Sequence, residues 1–420
     1  MRVSDQAYNR LKILKAIRGE GPISRTVLAA RTGLSGGTIT HVTAALLRRG
    51  LIIEQRLQPD RPGRPQVQLQ INDRGGVVIG ASLEPAGLIV SFVDLMGKTT
   101  FVRKMKLGIF HSIADGTKAM AESLAQAIEE SPFEGQHIRR VAISLQAVVD
   151  TLSGDIYWWT TFPPGRHPMG SIISKRLGLP VTIEPDWMSL ARAEHWFGHA
   201  QSIDTFSIFH VDLAVGGAQY VDGFPQVGGN GFNSEIGHTK TDLTPNARPC
   251  FCGGAGCLTA YSSIYGMLQA ADMLGEFSLL ALDRLSTEFS MGQLRTNFSK
   301  LMDKAEGGNR QARALLRVAG EHLGLAVANH INACGPSHVF VLAEEQRILD
   351  LLAPSFRTAL DRSAFSALVA QTSVELGLAT ADWRGKGVAA LALEQIYLGG
   401  GSSVSGWASA EAHPSPRETV

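Results

Sequence analysis

Apolar residues recur at helical spacing three times within the first fifty positions. Leu11, Leu14 and Ile17 share one face of the stretch 8–18, which Gly19 and Gly21 close. Ser24 is placed to cap a second helix over 25–31, stopped by Gly33, and Ser35 a third that runs to about Arg49. Ile39, Val42, Leu46 and Leu47 give that third helix its buried stripe, and Gly50 follows as a C-cap should. The period then drops to two. Residues 51–55 and 67–71 alternate like strands on either side of the tip P-D-R-P-G-R-P.

Near residue 74 the pattern changes. Strands are expected at 77–83, 88–93, 140–145, 181–184, 206–213, 218–221, 338–342 and 373–378. Helices are expected at about 112–130, 169–177, 188–198, 260–275, 310–333, 347–362 and 386–398. The order is sheet first and helices later, twice over, which implies a pair of α/β lobes. From Gly399 the chain turns Gly/Ser/Pro-rich, so 401–420 is expected to be a disordered tail.

Composition narrows the class. Of 420 residues 44% are hydrophobic and 18% charged, a globular balance. No apolar run is long enough to span a bilayer, the start lacks a signal-peptide pattern, and a reducing cytoplasm is expected. The net charge of +1 hides an asymmetry: residues 1–73 carry 12 Lys/Arg against 5 Asp/Glu, hence +7, which leaves −6 for the rest. A basic head on an acidic body points to a polyanion partner for the head.

Helix, four-residue turn and helix is the spacing of a helix-turn-helix, and the hairpin that follows makes it a winged one. The third helix would read double-stranded DNA with Thr38, Thr40 and His41, backed by Arg48 and Arg49. Arg61 and Arg64, on a wing tip stiffened by proline, suit phosphates or a narrow minor groove. A three-helix packing or dimerisation unit is the competing reading.

Three of the four cysteines, Cys250, Cys252 and Cys257, fall in C-F-C-G-G-A-G-C, with His238 upstream. One imidazole and three thiolates make a closed tetrahedral set for one structural zinc ion per chain. Cys334 lies in an apolar helical stretch, where core packing is expected.

The run from Glu235 to Thr259 resembles the signature of the ROK family (repressors, open reading frames and sugar kinases): E-x-G-H, then C-x-C-G-x-x-G-C. Thr259 stands where the family usually has a glutamate that touches the sugar. The likeness extends from about Val77 to Gly400. It implies an α/β chain with an N-terminal winged helix-turn-helix (1–73) and a two-lobed actin-like, ribonuclease-H-like body (74–400), the ligand lying between the lobes.

By that resemblance Asp186 stands where the kinases keep a general base, Glu235 accepts sugar hydroxyls, and His238 serves both metal and sugar. Asp186 also reads as an N-cap of the helix at 188–198. Trp158, Trp159 and Thr160 offer a stacking wall and a hydroxyl before a Pro-Pro turn. The family's phosphate turns are eroded. Ser82-Leu83-Glu84-Pro85-Ala86, Asp212-Leu213-Ala214 and Ala343-Glu344 lack the expected glycines and bring acids toward phosphate, so ATP is not expected to bind. The resulting expectation is a non-enzymatic repressor of carbohydrate genes, induced by a sugar or polyol and acting as a dimer or tetramer. The alternatives are a bifunctional kinase and a DNA-bound scaffold that recruits another protein.

Overall fold

A computed structural model describes residues 5–57, 66–84, 87–108, 110–133, 137–159, 162, 164–274, 287–380 and 382–399. Arg61, Arg64, Pro85, Thr160 and the tail 401–420 lie outside the described residues.

The head forms as its periodicity predicts. Helices α1 (Asp5–Glu20), α2 (Arg25–Thr32) and α3 (Gly36–Arg48) precede strand β2 (Ile52–Leu57) and strand β3 (Gln66–Ile71). A two-residue strand β1 (Ile23–Ser24) joins them in the order β1-β3-β2. Ser24 Oγ accepts from the Val27 N–H and Ser35 Oγ from the Thr38 N–H, so both expected caps are made. Leu14, Leu28, Ile39 and Leu46 are fully buried beneath them.

The body contains two five-stranded sheets with one plan. In the first, β4 (Val77–Glu84), β5 (Gly87–Asp94) and β6 (Thr99–Met105) form an antiparallel meander; β7 (Ile138–Leu145) and β10 (Val181–Pro185) add in parallel beside β4. The order is β10-β7-β4-β5-β6, with the ribbon β8 (Ala147–Asp150)/β9 (Asp155–Trp159) apart. In the second, β11 (Phe206–Val211), β12 (Val215–Val221) and β13 (Phe224–Pro225) form the meander, and β14 (His338–Ala343) and β15 (Ser373–Leu378) add in parallel. Its order, β13-β12-β11-β14-β15, repeats the first. This duplication is the actin-like architecture.

Helices α4 (Ile113–Glu129) and α5 (Met169–Leu177) cover the first sheet. On the second sheet, α10 (Arg310–Cys334) and α11 (Gln346–Ser363) pack beside a helix the periodicity did not predict, α9 (Thr287–Glu306). The expected helix at 260–275 is broken into α7 (Thr259–Ser262) and α8 (Ile264–Ala270), because Ser263 is extended and caps the second piece. The last helix starts earlier than expected, at Trp383 (α13, Trp383–Leu398). Cys334 is exposed at the end of α10, not packed in the core.

The chain passes from the first sheet to the second along α6 (Asp186–Phe197) and returns along α13. These connectors touch backbone to backbone: a Cβ at Gly387 would stand 1.8 Å from the Ser189 carbonyl oxygen. Helix α1 packs on α13, and one buried cluster holds Leu14 and Ile17 of the head with Trp196, Leu391 and Tyr397 of the connectors. Head and body therefore share a core.

Candidate functional site at the interlobe cleft

The polar residues of the cleft sit at strand ends. Gln146 follows β7, Asp186 follows β10, Asp212 follows β11 and Glu344 follows β14. In open α/β sheets such carboxyl ends collect ligands, because the strands supply rigid supports and the loops supply side chains. Gln146, Asp186, Asp212, Glu235, His210 and His238 line a cleft with an empty volume of about 630 Å³, walled by Trp158, Trp187 and Phe251.

Asp186 begins α6 and makes no side-chain cap there; Pro185 takes the N-cap position, so the capping role expected of Asp186 is not the one it plays. Instead its carboxyl group pairs with Gln146, and desolvation raises its pKa against the pull of Arg384 and His210. Glu235 is pushed up to about 7, by burial first and then by the charge of Asp186. A carboxyl group that titrates near neutrality, as Glu235 does, can donate as well as accept hydrogen bonds to hydroxyls.

Of the tryptophan pair, Trp158 lies in the cleft, its ring 6.2 Å from that of Phe251. Trp159 alternates to the other face and packs between Phe110 and Phe162. Thr259 is fully buried and accepts from the Val215 N–H, tying β12 to the cysteine loop rather than lining the cleft.

His238, Cys250, Cys252 and Cys257 bring their ligand atoms within 4.8 Å of one another. Cys252 Sγ and Cys257 Sγ are 3.7 Å apart, and Cys250 Sγ is 3.6 Å from His238 Nδ1. Thiolates about 2.3 Å from a tetrahedral ion stand about 3.8 Å apart, so the four groups fit a metal ion. Burial, then Lys240, lowers the pKa of His238 and keeps its ring neutral, the form that ligates. The E-x-G-H glycine has a steric reason: a Cβ at Gly237 would stand 1.9 Å from the Val215 carbonyl oxygen.

Two of the stretches expected to be eroded phosphate turns, at Asp212 and at Glu344, carry charge pairs. Arg384, at the start of α13, donates from Nη1 to Glu344 at 3.0 Å and from Nη2 to Asp212 at 3.4 Å. Arg295 donates to Asp212 at 3.0 Å, and the Trp383 indole N–H to Glu344 at 3.0 Å. Neither arginine was expected in the site. Arg384 lies beyond the start assigned to the last helix, and Arg295 lies on a helix the periodicity did not reveal.

On the head, Thr40, His41, Arg48 and Arg49 are exposed along α3. The Thr38 hydroxyl is engaged by Ser35 Oγ at 2.9 Å, and that of Thr40 by the Gly36 carbonyl oxygen at 2.8 Å. Three of the head's cations turn inward. Arg10 donates to the Leu398 carbonyl oxygen at 2.6 Å, Lys15 lies 3.3 Å from His195, and Arg18 stacks 4.1 Å above the Trp196 ring.

A winged helix-turn-helix DNA-binding profile matches residues 7–53, and the ROK family profile matches residues 100–394. The chain belongs to the ROK family. Its relatives include a ROK protein named xylose repressor in Caldicellulosiruptor bescii, 23% identical over 368 residues (88% of this chain, 91% of the relative). The Escherichia coli DNA-binding transcriptional dual regulator NagC is 24% identical over 364 residues, 86% of each chain. A ROK family transcriptional regulator described as a homologue of the E. coli MLC protein superposes with a TM-score of 0.74 at 24% identity, over 94% of this chain and 98% of that one. A Streptomyces griseus ROK glucokinase solved with glucose and AMPPNP gives 0.58 at 20%, over 75% and 99%. The ROK body thus shares its fold with regulators and kinases alike.

Proposed function

We propose that this ROK protein is a DNA-binding repressor of carbohydrate genes whose cleft takes a neutral sugar or polyol, and that it does not phosphorylate it. One observation carries the reading. An exposed recognition helix and a cleft lined by Asp186, Glu235 and His238 share a chain in which the nucleotide-side positions Asp212 and Glu344 are acids bound to arginines. Asp186 and Glu235 would take the sugar hydroxyls, Trp158 would stack on an apolar sugar face, and the Thr160 hydroxyl is assigned to the same ligand. One structural zinc ion per chain, held by His238, Cys250, Cys252 and Cys257, would fix the His238 ring toward the cleft.

In this reading residues 1–73 form the DNA-binding domain and 74–400 the body. Thr38, Thr40, His41 and Arg48 face the major groove, and Arg61 and Arg64 the backbone or minor groove. Two copies bind related half-sites as a dimer. Among the described residues no helix is long and apolar enough to cross a membrane, which suits a protein working on DNA in the cytoplasm.

The test pairs two measurements on the full chain. Duplexes selected from a random pool should contain a repeated half-site, and a thermal-shift screen of sugars, sugar phosphates and polyols should raise the melting midpoint for a hydroxyl-rich ligand. The best binder should release the selected DNA from wild type and not from Glu235→Gln. ATP-dependent turnover that disappears in Asp186→Asn would overturn the absence of phosphorylation and favour a bifunctional kinase and regulator.

A further inference from the structure

The winged helix sits on the two connectors between the lobes, at the ends remote from the cleft. Helix α6 leaves the cleft at Asp186 and reaches the head at Trp196; α13 leaves it at Arg384 and meets α1 at Leu398. At 1.5 Å per residue these rods span about 18 and 24 Å. At the head end α1 is gripped from both sides. Arg10 and Arg18 hold Leu398 and Trp196 on the connectors. Tyr8 packs 5.8 Å from Phe224 on the last strand of the second meander, and Asp204, just before β11, attracts the Lys15 ammonium. A change in the angle between the lobes therefore shifts the seat of α1.

At the cleft end one side chain spans the same gap. Arg384 stands where α13 passes from the second sheet, which buries Trp383, to the first, where Gly80 lies against Ala389; its guanidinium holds the ends of β11 and β14 in the second. The triad His210, Asp212 and Glu344 could hold a metal ion by geometry, and His210 Nε2 is buried without a hydrogen-bond partner among the described residues. Arg384 already supplies the positive charge there, so the place left open by the absent nucleotide turns is closed from within the chain. The chain enters α13 through Asp382 at φ 56°, a left-handed conformation that only Gly, Asn and Asp adopt readily.

We propose that Arg384 is a positioning residue: it latches the two lobes across the former nucleotide side of the cleft, and through α13 and α6 it sets the seat of the winged helix. A ligand that draws Asp212 or Glu344 away from Arg384 alters the lobe angle and hence the head. The proposal rests on the reading of the cleft as a ligand site and of the head as a DNA reader, but its test needs neither sugar nor DNA.

That test is amide hydrogen exchange on the full-length protein. Arg384→Gln, and separately the pair Asp212→Asn with Glu344→Gln, should raise exchange several-fold in α1, some 20 Å from the substitution. Arg384→Lys, which keeps a cation in reach of both acids, should restore much of the protection. Helices α10 and α11 should change less than α1, by no more than the loss of global stability in urea requires, and no element should change in the control Arg317→Gln, which removes an exposed pair on α10. Faster exchange confined to the cleft loops, with α1 unchanged, would overturn the proposal. So would loosening of α10 and α11 as great as that of α1, since Arg384 would then only hold the fold together.

Discussion

Two clusters of potential metal ligands border the same cleft, and they meet their charge differently. His238 and the three cysteines stand at tetrahedral spacing, and among the described residues the cation touching a sulfur is Lys240, 3.0 Å from Cys257. His210, Asp212 and Glu344 are gathered as closely, yet Arg295 and Arg384 already hold their carboxylates. The difference follows from chemistry and room. Thiolates on a tight glycine loop leave space for an ion but not for a planar guanidinium, whereas carboxylates match the guanidinium fork. Glu235 shows a third solution: burial and the nearby charge of Asp186 push it up to about 7, so it can take up a proton near neutrality.

The largest effect should come from the first cluster. Burial pushes the Cys250 thiol well up, so without an ion this thiol would stay protonated and the loop would lose its centre. Chelation, or Cys257→Ser, should lower stability by on the order of 5 kcal/mol. Elemental analysis and melting of matched samples measure it; unchanged midpoints and metal content would erase the contrast between the clusters. Next comes the second cluster. Arg384→Gln leaves Asp212 to Arg295 and Glu344 to the Trp383 indole, and should cost about 2 kcal/mol in urea unfolding. Together with Asp212→Asn the loss should be smaller than the sum of the two single losses, because both substitutions remove the same pair; strictly additive losses would mean that the two groups do not interact.

The proton on Glu235 predicts a pH profile. Its folded pKa lies above the ordinary 4.5, so its contribution is full below about 4.5 and is lost as pH rises through about 7. Relative to Glu235→Gln, wild type should lose about 2 kcal/mol across that window, with allowance for solvent screening of a partly exposed side chain. A parallel pair of curves would show that the carboxyl group titrates normally. The smallest effect is expected at Lys240, which is exposed. Lys240→Met should keep full metal content and only hasten loss to a chelator.

What could be read in advance follows the distance over which partners are drawn. The cysteine loop, the caps Ser24 and Ser35 and the double α/β pattern are local, and short spacings announced them. Strand β6 escaped because its residues are mostly exposed and show little alternation of apolar positions. The ribbon β8/β9 escaped because its strands are short, four and five residues. Arg384 escaped for another reason: its partner Asp212 is 172 residues away, and no local pattern marks one arginine for a contact made by tertiary folding. The residues that resemblance brought to the cleft, Asp186, Glu235 and His238, do meet there. Their neighbours Trp187, Phe251 and Gln146 became visible only once the strand ends converged.

The inward turn of Arg10, Lys15 and Arg18 bears on how the protein searches a genome. Cations seated against the body release no counterions from a duplex, and Arg25 and Arg31 are already paired with Glu54 and Glu20. The logarithm of DNA affinity should therefore fall with salt more gently than the head's formal charge implies. Random sequence would be held loosely and left quickly. In the proposed reading, discrimination then comes from base edges met by α3, where a wrong base pair costs about 1–3 kcal/mol, and not from a sticky electrostatic background.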